Sequence, residues 1–355
     1  MKKDTRRNIL LGIFLFIMFS FIKYSIVYFN TVNYRNDFSG DFDNKILIEV
    51  DVNPSKASKQ SGPFSFNRSL KEVLPYRTGN CLFTASYSIK PSDILNKADY
   101  YYFSFPGLSE NEYNEWNKYN RTNKLIIGPN YIPSNWYTFP NPKSWKERNF
   151  PEILKSVKGY VIHSDRVRDH IAGRSNTTSL IDKYINVRAC TNLKPDSVKS
   201  FNDRTIDILY FEKYADIDHS KQGKELLELL NKSGKNVVKM EYGSYDKKKM
   251  MEWANDSKFI LYFSFYDTGA IGLKEIQNYG ALTFTHQQEF VTDNSTCFYI
   301  PELASEDSMK PAYDIIMEKI EMVDKEKPDS ELIAKKNYEV NNCRMAFNDI
   351  CRRLV

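Results

Sequence analysis

The sequence has few cysteines and lacks the short cysteine spacings that hold metals. The five cysteines in 355 residues are Cys81, Cys190, Cys297, Cys343 and Cys351, and they include no Cys-x2-Cys pair. This scatter excludes the usual zinc-site spacings and a dense disulfide framework. Because the count is odd, at least one thiol must be unpaired.

The sequence also lacks a clustered excess of basic residues. Lysine and arginine number 50 against 45 aspartates and glutamates, which gives a formal net charge of +5. The first seven residues contribute +3 of this charge (four basic residues less Asp4), so only +2 remains for the rest. Nucleic-acid binders concentrate basic charge on one surface, so we expect no nucleic-acid partner. The 41% hydrophobic content indicates a globular protein, and a length of 355 residues is enough for two domains of ordinary size.

One hydrophobic run lies near the N-terminus. Residues 9–22 contain no charge, and the apolar run resumes after Lys23 and ends at Phe29. As a helix, residues 9–29 would span about 31 Å, which is enough to cross a bilayer. The basic residues before the run predict a cytoplasmic N-terminus. We therefore predict a single-pass type II membrane protein with a cytoplasmic tail at 1–8, a transmembrane signal anchor at 9–29 and a stem at 30–44.

A cleaved signal peptide would share the basic start and the apolar run. However, the bulky residues Tyr28, Phe29 and Asn30 follow where small residues would mark a cleavage site. We expect the remaining chain in the Golgi or endoplasmic reticulum lumen if the cell is eukaryotic. Six Asn-x-Ser/Thr sequences would suit a glycoprotein there. They begin at Asn67, Asn120, Asn176, Asn231, Asn255 and Asn294.

Hydrophobic runs alternate with polar stretches long enough for helices. The runs of the first half are 45–52, 81–85, 100–105, 124–128 and 159–163. After a polar stretch at 192–202, a second series follows at 208–211, 236–240, 258–265 and 281–285. Strands that alternate with helices indicate parallel α/β sheets. We predict two doubly wound, Rossmann-like domains at 45–200 and 201–325, and a C-terminal helix at 326–355 that packs back.

The stretch from Ser264 to Gly280 contains the pattern most indicative of chemistry. A strand end, a loop of small residues and a helix start follow in order, with Asp267 and Glu275 eight positions apart. Free N–H groups at a helix start suit a diphosphate. The Glu275 carboxylate could accept hydrogen bonds from two ribose hydroxyls, and Asp267 could meet the sugar beyond the phosphates. The predicted donor-binding residues here are Thr268, Gly269, Ala270, Ile271 and Glu275.

This stretch resembles the Glu-x7-Glu motif of GT-B glycosyltransferases of the "glycosyl transferases group 1" type. Asp267 stands at the first acid, Glu275 at the second, and Gly280 closes the helix. The resemblance extends over about residues 205–300. It implies the GT-B fold, in which two Rossmann-like domains face each other across a cleft. It also implies basic residues that clamp the diphosphate, and Lys213 and Lys221 stand where they are expected, although the family's usual Gly-Arg pair is absent.

Three residues are candidates for the acceptor side of the cleft: Gly62 in a Gly-Pro turn, Asn130 after a strand end, and His163. Turn chemistry alone would also explain Gly62 and Asn130. We expect His163 and His170 on one helical face, two turns apart and too distant to share a metal, in structural or cleft-lining roles.

The resemblance implies a glycosyltransferase that moves a sugar from a nucleotide sugar to a glycan, glycolipid or protein acceptor. Asp267 would be the catalytic residue, and we expect no metal or other cofactor. One alternative is a metal-dependent GT-A transferase that uses Asp216 and Asp218, an Asp-x-Asp spelling that also occurs by chance at residues 41–43. Another is a non-enzymatic, membrane-anchored carbohydrate-binding surface protein. Binding of nucleoside diphosphates, and its need for a metal, would separate these hypotheses.

Overall fold

Two β-sheets with helices packed on them make up the part of the chain that the structure describes. This computed structural model describes residues 46–51, 62–86, 98–104, 108–129, 145–212, 217–241, 246–264, 270–286, 295–303 and 306–355. The predicted cytoplasmic tail, transmembrane segment and stem lie outside these residues. Within them, no helix is both long and apolar enough to cross a bilayer.

The N-terminal sheet has seven strands in the order β2-β3-β1-β4-β5-β6-β7. Each neighbouring pair from β1 through β4, β5 and β6 to β7 is parallel, and β2 pairs antiparallel with β3. The runs LIIG and GYVI are buried along their whole length, as expected for strands covered on both faces. The strands are β1 (Ile46–Asp51), β2 (Tyr76–Thr78), β3 (Cys81–Ser86), β4 (Tyr100–Ser104), β5 (Leu125–Gly128), β6 (Gly159–Ile162) and β7 (Tyr184–Asn186).

The helices of this half connect successive strands, and their starts follow from local capping. Ser109 accepts from the Glu112 N–H while Glu112 accepts from the Ser109 N–H, a capping box that fixes where α2 begins. Ser164 caps α5 by accepting from the Val167 N–H. The helices are α1 (Gly62–Glu72), α2 (Glu110–Lys118), α3 (Trp145–Arg148), α4 (Phe150–Ser156) and α5 (Asp165–Arg174). Gly62 is therefore the first residue of a helix rather than part of an isolated turn.

The C-terminal sheet has five strands in the order β12-β11-β10-β8-β9, and every neighbouring pair is parallel. Its strands are β8 (Ile206–Glu212), β9 (Val237–Glu241), β10 (Ser257–Phe263), β11 (Leu282–Thr285) and β12 (Cys297–Tyr299). Its connecting helices are α6 (Ile217–Lys232), α7 (Lys247–Asp256) and α8 (Ile271–Gln277). Alternate residues of β8 enter separate cores on the two faces: Ile208 and Tyr210 on one, Leu209 and Phe211 on the other. The predicted linker at 192–202 lies between β7 and β8, in a segment without regular secondary structure up to a 3-10 helix at Phe201–Asp203.

Three helices complete the chain, and the last returns to the first sheet. Helix α9 (Glu306–Glu326) packs against α6, and α10 (Ser330–Asn341) packs against α8. Helix α11 (Cys343–Leu354) packs against β2 and β7. The returning segment thus consists of two helices, where the sequence predicted one. Its capping residues are Asp329 for α10 and Asn342 for α11.

Two disulfides join α11 to the N-terminal half. Cys351 pairs with Cys81 at the start of β3, and Cys343 pairs with Cys190 in the segment after β7. Cys297 forms no disulfide, and it is buried. The odd thiol that the count requires is thus in β12, and both bridges join segments distant in sequence.

Candidate functional site

The strand order of the C-terminal sheet indicates where a ligand would bind. From β8 the chain winds outward to β9 on one side, and then from β10 through β11 to β12 on the other. In doubly wound sheets, ligands bind beyond the carboxyl ends of the strands where the winding reverses. Those strands are β8, which ends at Glu212, and β10, which ends at Phe263 and is followed by the buried Ser264. Helix α8 begins on the same side of the sheet.

Ala270 directs the chain from the loop after β10 into α8. Its backbone is left-handed (φ 47°, ψ 36°), a conformation that costs an alanine on the order of 1 to 2 kcal/mol. Its carbonyl accepts from the Lys274 N–H at 2.9 Å, which closes the first helical turn. Ala270 and Ile271 thus stand at the helix start, where the sequence predicts the diphosphate. The other predicted residues of this loop, Asp267, Thr268 and Gly269, lie outside the described residues.

Glu275 is a buried carboxylate on α8, with 7% of its surface exposed. Lys247, the first residue of α7, donates from its Nζ to Glu275 Oε1 at 2.7 Å. Because α7 follows the carboxyl end of β9, this ion pair connects Glu275 to the ligand-binding side of the sheet. A buried acid held at that edge can accept hydrogen bonds from a polar ligand.

Lys274 precedes Glu275 and is also buried, with 5% of its surface exposed. Burial lowers its pKa to about 8; nearby Cys297 opposes this shift, and Arg188 adds to it. Sequence reasoning missed this residue. The available signal was a lysine that directly follows the apolar residues Ile271 to Leu273 at the start of the helix.

The structure describes only one of the two lysines that the family resemblance implies for diphosphate binding, Lys213 and Lys221. Lys221 lies one turn inside α6, with 65% of its side chain exposed, and its Nζ is 3.8 Å from the Glu225 carboxylate. This location is on an exposed helix surface rather than in a buried site. Lys213 lies outside the described residues, as does Asp216, whereas Asp218 belongs to the first turn of α6.

Among the acceptor-side candidates, His163 directly follows β6, at the carboxyl end of the N-terminal sheet. Its Nδ1 is 2.8 Å from the Val187 carbonyl, and its ring packs edge-on against Phe66 of α1 at 4.9 Å. The expectation that His163 and His170 share a helical face is wrong, because α5 begins only at Asp165. Gly62 opens α1 beyond the end of β1, and Asn130 lies outside the described residues.

The two halves meet at the helices that begin beyond their carboxyl strand ends. Helix α1 follows β1 and packs against α8, which follows β10. Asn192 of the linker connects α1 to the start of α11: its Nδ2 donates to the Ser69 carbonyl, and its Oδ1 accepts from the Cys343 N–H at 3.2 Å. The carboxyl ends of both sheets therefore face a common region.

A network of buried asparagines fixes the end of α8. Asn278 donates to the Leu193 carbonyl of the linker at 2.8 Å, and it accepts from Asn341 Nδ2 at 3.1 Å. Asn337 donates to the Gln277 carbonyl at 2.8 Å. Because buried amides cost free energy when unpaired, these bonds hold α8 against both segments that pass between the two halves.

Gly280, which closes the motif, has a structural reason to be glycine. Its φ is +79°, and a Cβ there would collide with the backbone carbonyl of Ser330 at the start of α10. The glycine therefore permits both the turn after α8 and the close approach of α10. Within the described ranges, no cluster of three or more His, Cys, Asp or Glu side chains could hold a metal ion.

Comparisons with known proteins find similarity in structure only. No protein-family model matches the sequence, and no curated protein is similar to it. An α-glucosyltransferase (AGT) solved in complex with UDP aligns with a TM-score of 0.53 and 10% identity, over 87% of this chain and 99% of its own. The lipopolysaccharide outer core galactosyltransferase WaaB, in its apo form, aligns with a TM-score of 0.50 and 10% identity, over 87% of this chain and 98% of its own.

At such low identity, the similarity concerns the fold alone. Both alignments extend over nearly the whole of the other chain, so they include both sheets and not one Rossmann-like half. The chain therefore has an α/β fold that matches the GT-B fold of these glycosyltransferases.

Proposed function

We propose that this protein is a glycosyltransferase that moves a sugar from a nucleotide-sugar donor to a glycan, glycolipid or protein acceptor. The observation that carries the proposal is the buried Glu275 carboxylate, on the helix that follows the strand where the winding of the sheet reverses. The match to a transferase fold whose solved α-glucosyltransferase binds UDP supports the same conclusion.

On the donor side, Glu275 accepts hydrogen bonds from the ribose hydroxyls, with Lys247 holding the carboxylate in place. The backbone of residues 268–271 and the lysines Lys213 and Lys221 bind the diphosphate, and Asp267 contacts the transferred sugar. Lys221 requires movement of its side chain away from Glu225 to take part. This arrangement of an acceptor for hydroxyls and donors for phosphate oxygens matches the two ends of a nucleoside diphosphate.

On the acceptor side, the carboxyl edge of the N-terminal sheet supplies Gly62, Asn130 and His163. The reaction breaks the bond between the sugar carbon and the diphosphate oxygen, and that carbon forms a bond to an acceptor oxygen. Negative charge therefore develops on the departing diphosphate and must be stabilised by fixed positive groups. We propose that backbone N–H groups and lysines supply this stabilisation without a divalent metal.

We also propose a type II membrane protein whose catalytic region is lumenal, with residues 9–29 as the anchor. Two disulfides support an oxidising compartment, because disulfides persist mainly in secreted and lumenal proteins. Asn120 and Asn176 begin glycosylation sequences and are exposed, so a glycosyltransferase in the lumen could carry glycans there. The test is digestion with an N-glycosidase, which should shift the native protein on a gel but leave a double Asn120→Gln, Asn176→Gln variant less shifted.

The proposal is tested by nucleotide binding to the fragment from about residue 44 onward. We expect UDP or GDP to raise the melting temperature, because a ligand that binds only the folded state stabilises it. Glu275→Ala should weaken that binding roughly 10- to 100-fold, the effect of about 1.5 to 3 kcal/mol from a lost charged hydrogen-bond partner. Glu275→Gln, which keeps one acceptor oxygen, should have a smaller effect.

Asp207→Ala is the matched control. Asp207 is ion-paired with Lys258 at 3.0 Å, but it lies near the amino end of β8, at the opposite edge of the sheet. This variant should lose stability without losing nucleotide affinity. If neither UDP nor GDP binds the wild type, the donor assignment is wrong. If glycans bind while nucleotides do not, the protein is a carbohydrate-binding protein instead.

A further inference from the structure

Lys274 is a buried cation whose charge is not neutralised by any side chain in the part of the chain that the structure describes. Among the described residues, the Lys274 ammonium forms no ion pair and donates no hydrogen bond. The comparison with Arg204, which is 3% exposed, is informative: its guanidinium donates to the carbonyls of Lys199, Ser257 and Tyr279. Arg204 is thus explained as a structural residue, whereas Lys274 is not, since buried lysines are rare unless paired.

The position of Lys274 on α8 directs it toward the helix start. Side chains in a helix tilt toward its N-terminus, and residues three and four positions apart share a face. Lys274 therefore extends along the face of Ala270 and Ile271. Its neighbour Glu275 is about 100° away around the helix and is bonded to Lys247. The carboxylate next to Lys274 in sequence thus serves a different partner.

Charged or titratable groups from both halves of the chain act on the Lys274 ammonium. Arg188, which follows β7 of the N-terminal sheet, is near enough to disfavour the charged form of Lys274. The charge of Arg188 is matched by Asp349 of α11, whose carboxylate lies 3.0 Å from Arg188 Nε. Among the described residues the Lys274 charge is therefore not compensated, and in a buried region of low dielectric constant such a charge attracts an anion strongly.

We propose that Lys274 binds the diphosphate of the donor and stabilises the charge that develops on it during transfer. This inference rests on the proposed function. As the bond from the sugar carbon to the β-phosphate oxygen breaks, its electron pair stays on that oxygen. The acceptor oxygen forms the new bond to the sugar carbon and loses its proton to the solvent. Lys274 neutralises the departing oxygen and keeps its own proton during this step. Because Lys274 is buried, it attracts that oxygen more strongly than the exposed Lys221 does.

The test compares nucleotides that differ by one phosphate. In Lys274→Met, we expect UDP or GDP, whichever the wild type binds, to bind about 10- to 100-fold more weakly, while the affinity for the corresponding monophosphate changes less than threefold. In Glu275→Ala, both nucleotides should lose affinity equally, because both contain the ribose. Lys274→Arg, which keeps the charge, should retain more diphosphate affinity than Lys274→Met.

A second measurement separates this role from a structural one. At pH 8 Lys274 is about half protonated, and an anion bound to it raises its pKa, so binding should take up protons. The phosphates ionise near pH 6 and contribute little at pH 8. The charged or titratable groups known to act on Lys274 are Arg188 and Cys297. Calorimetric titration in two buffers with different ionisation enthalpies measures this uptake, which Lys274→Met should abolish.

The outcomes are distinct for the two proposals. If the wild type binds no nucleoside diphosphate, the proposed function fails and this inference fails with it. If the wild type binds UDP or GDP but Lys274→Met loses equal affinity for diphosphate and monophosphate, or none, only the role of Lys274 is overturned. A structural role would instead lower the melting temperature of Lys274→Met; we expect it to be unchanged or higher, because an unpaired buried charge is removed.

Discussion

Removal of the Cys81–Cys351 disulfide should loosen α11 from the N-terminal sheet. The two cysteines are 270 positions apart, but the Cys190–Cys343 bridge already closes the stretch between them. The loop that Cys81–Cys351 closes by itself is therefore roughly 120 residues long. For that length the chain-entropy treatment gives about 5 kcal/mol, the upper end of the ~2 to 5 kcal/mol typical of native bridges.

Packing should keep α11 in place even without the bridge. Phe347 is fully buried, and its ring lies 4.4 Å from that of Phe83 and 5.8 Å from that of Tyr76. Burial of a phenylalanine contributes about 3 to 5 kcal/mol by comparison with alanine. We therefore expect more frequent local opening of α11 rather than global unfolding under native conditions.

Hydrogen exchange of a Cys81→Ser, Cys351→Ser variant, measured by mass spectrometry without reductant, is the suitable assay. Exchange should accelerate in residues 343–354 and in β2 and β3, and stay unchanged in the C-terminal sheet. Cys297→Ser removes a thiol that forms no disulfide, and it should affect the C-terminal sheet alone. Equal acceleration in both sheets, or protection of 343–354 as in the wild type, would refute the reasoning.

Three further predictions concern stability. Gly280→Ala should destabilise the fold by about 1 to 3 kcal/mol, because residue 280 has a positive φ and a Cβ there would collide with α10. Gly173→Ala, in open space on α5, should instead stabilise it by about 0.5 to 1 kcal/mol. The melting temperatures of the two variants test this contrast. Asn278→Ala should cost about 2 to 4 kcal/mol in urea unfolding, since it removes the hydrogen-bond partner of the buried Asn341 amide and of the half-buried Leu193 carbonyl. Asn186→Ala, an exposed control, should cost less. The pKa of Lys274 is about 8 in the folded state and near 10.5 in the unfolded state, so between these pH values the unfolded state binds more protons. The free energy of unfolding should therefore rise with pH in this range, and it should rise more in the wild type than in Lys274→Met.

The strands that sequence predicted and those that it missed differ in length and position. The apolar runs at 208–211 and 258–265 became β8 and β10, because central strands covered on both faces need continuous apolar residues. The missed strands β2, β7 and β12 have three residues each and lie at the edges of their sheets. Three residues are too few to show a period, and an edge strand needs less burial, so sequence gives no distinct signal for them.

The candidate site divides in the same way. Glu275 could be proposed from sequence because the loop, the helix and the closing Gly280 are all local. Lys274 could not be selected in this way, because Arg188, one of the groups that act on its charge, belongs to the other half of the chain. The disulfides also join residues 153 and 270 positions apart. A single sequence does not specify such contacts, because they depend on how the two halves pack.

The packing of α8 links the candidate donor site to the segments on which the two halves would move. Its carboxyl end is bonded through Asn278 to the linker carbonyl of Leu193 and to Asn341, just before the last helix returns to the N-terminal sheet. Cys343, two positions after Asn341, is linked to Cys190, so the two crossing segments are also joined covalently. Any rotation of one sheet against the other must therefore pivot close to the end of α8. Because Glu275 and Lys274 are about one turn from that pivot, such a rotation would move the carboxyl edge of the N-terminal sheet while displacing these two proposed donor-binding side chains little.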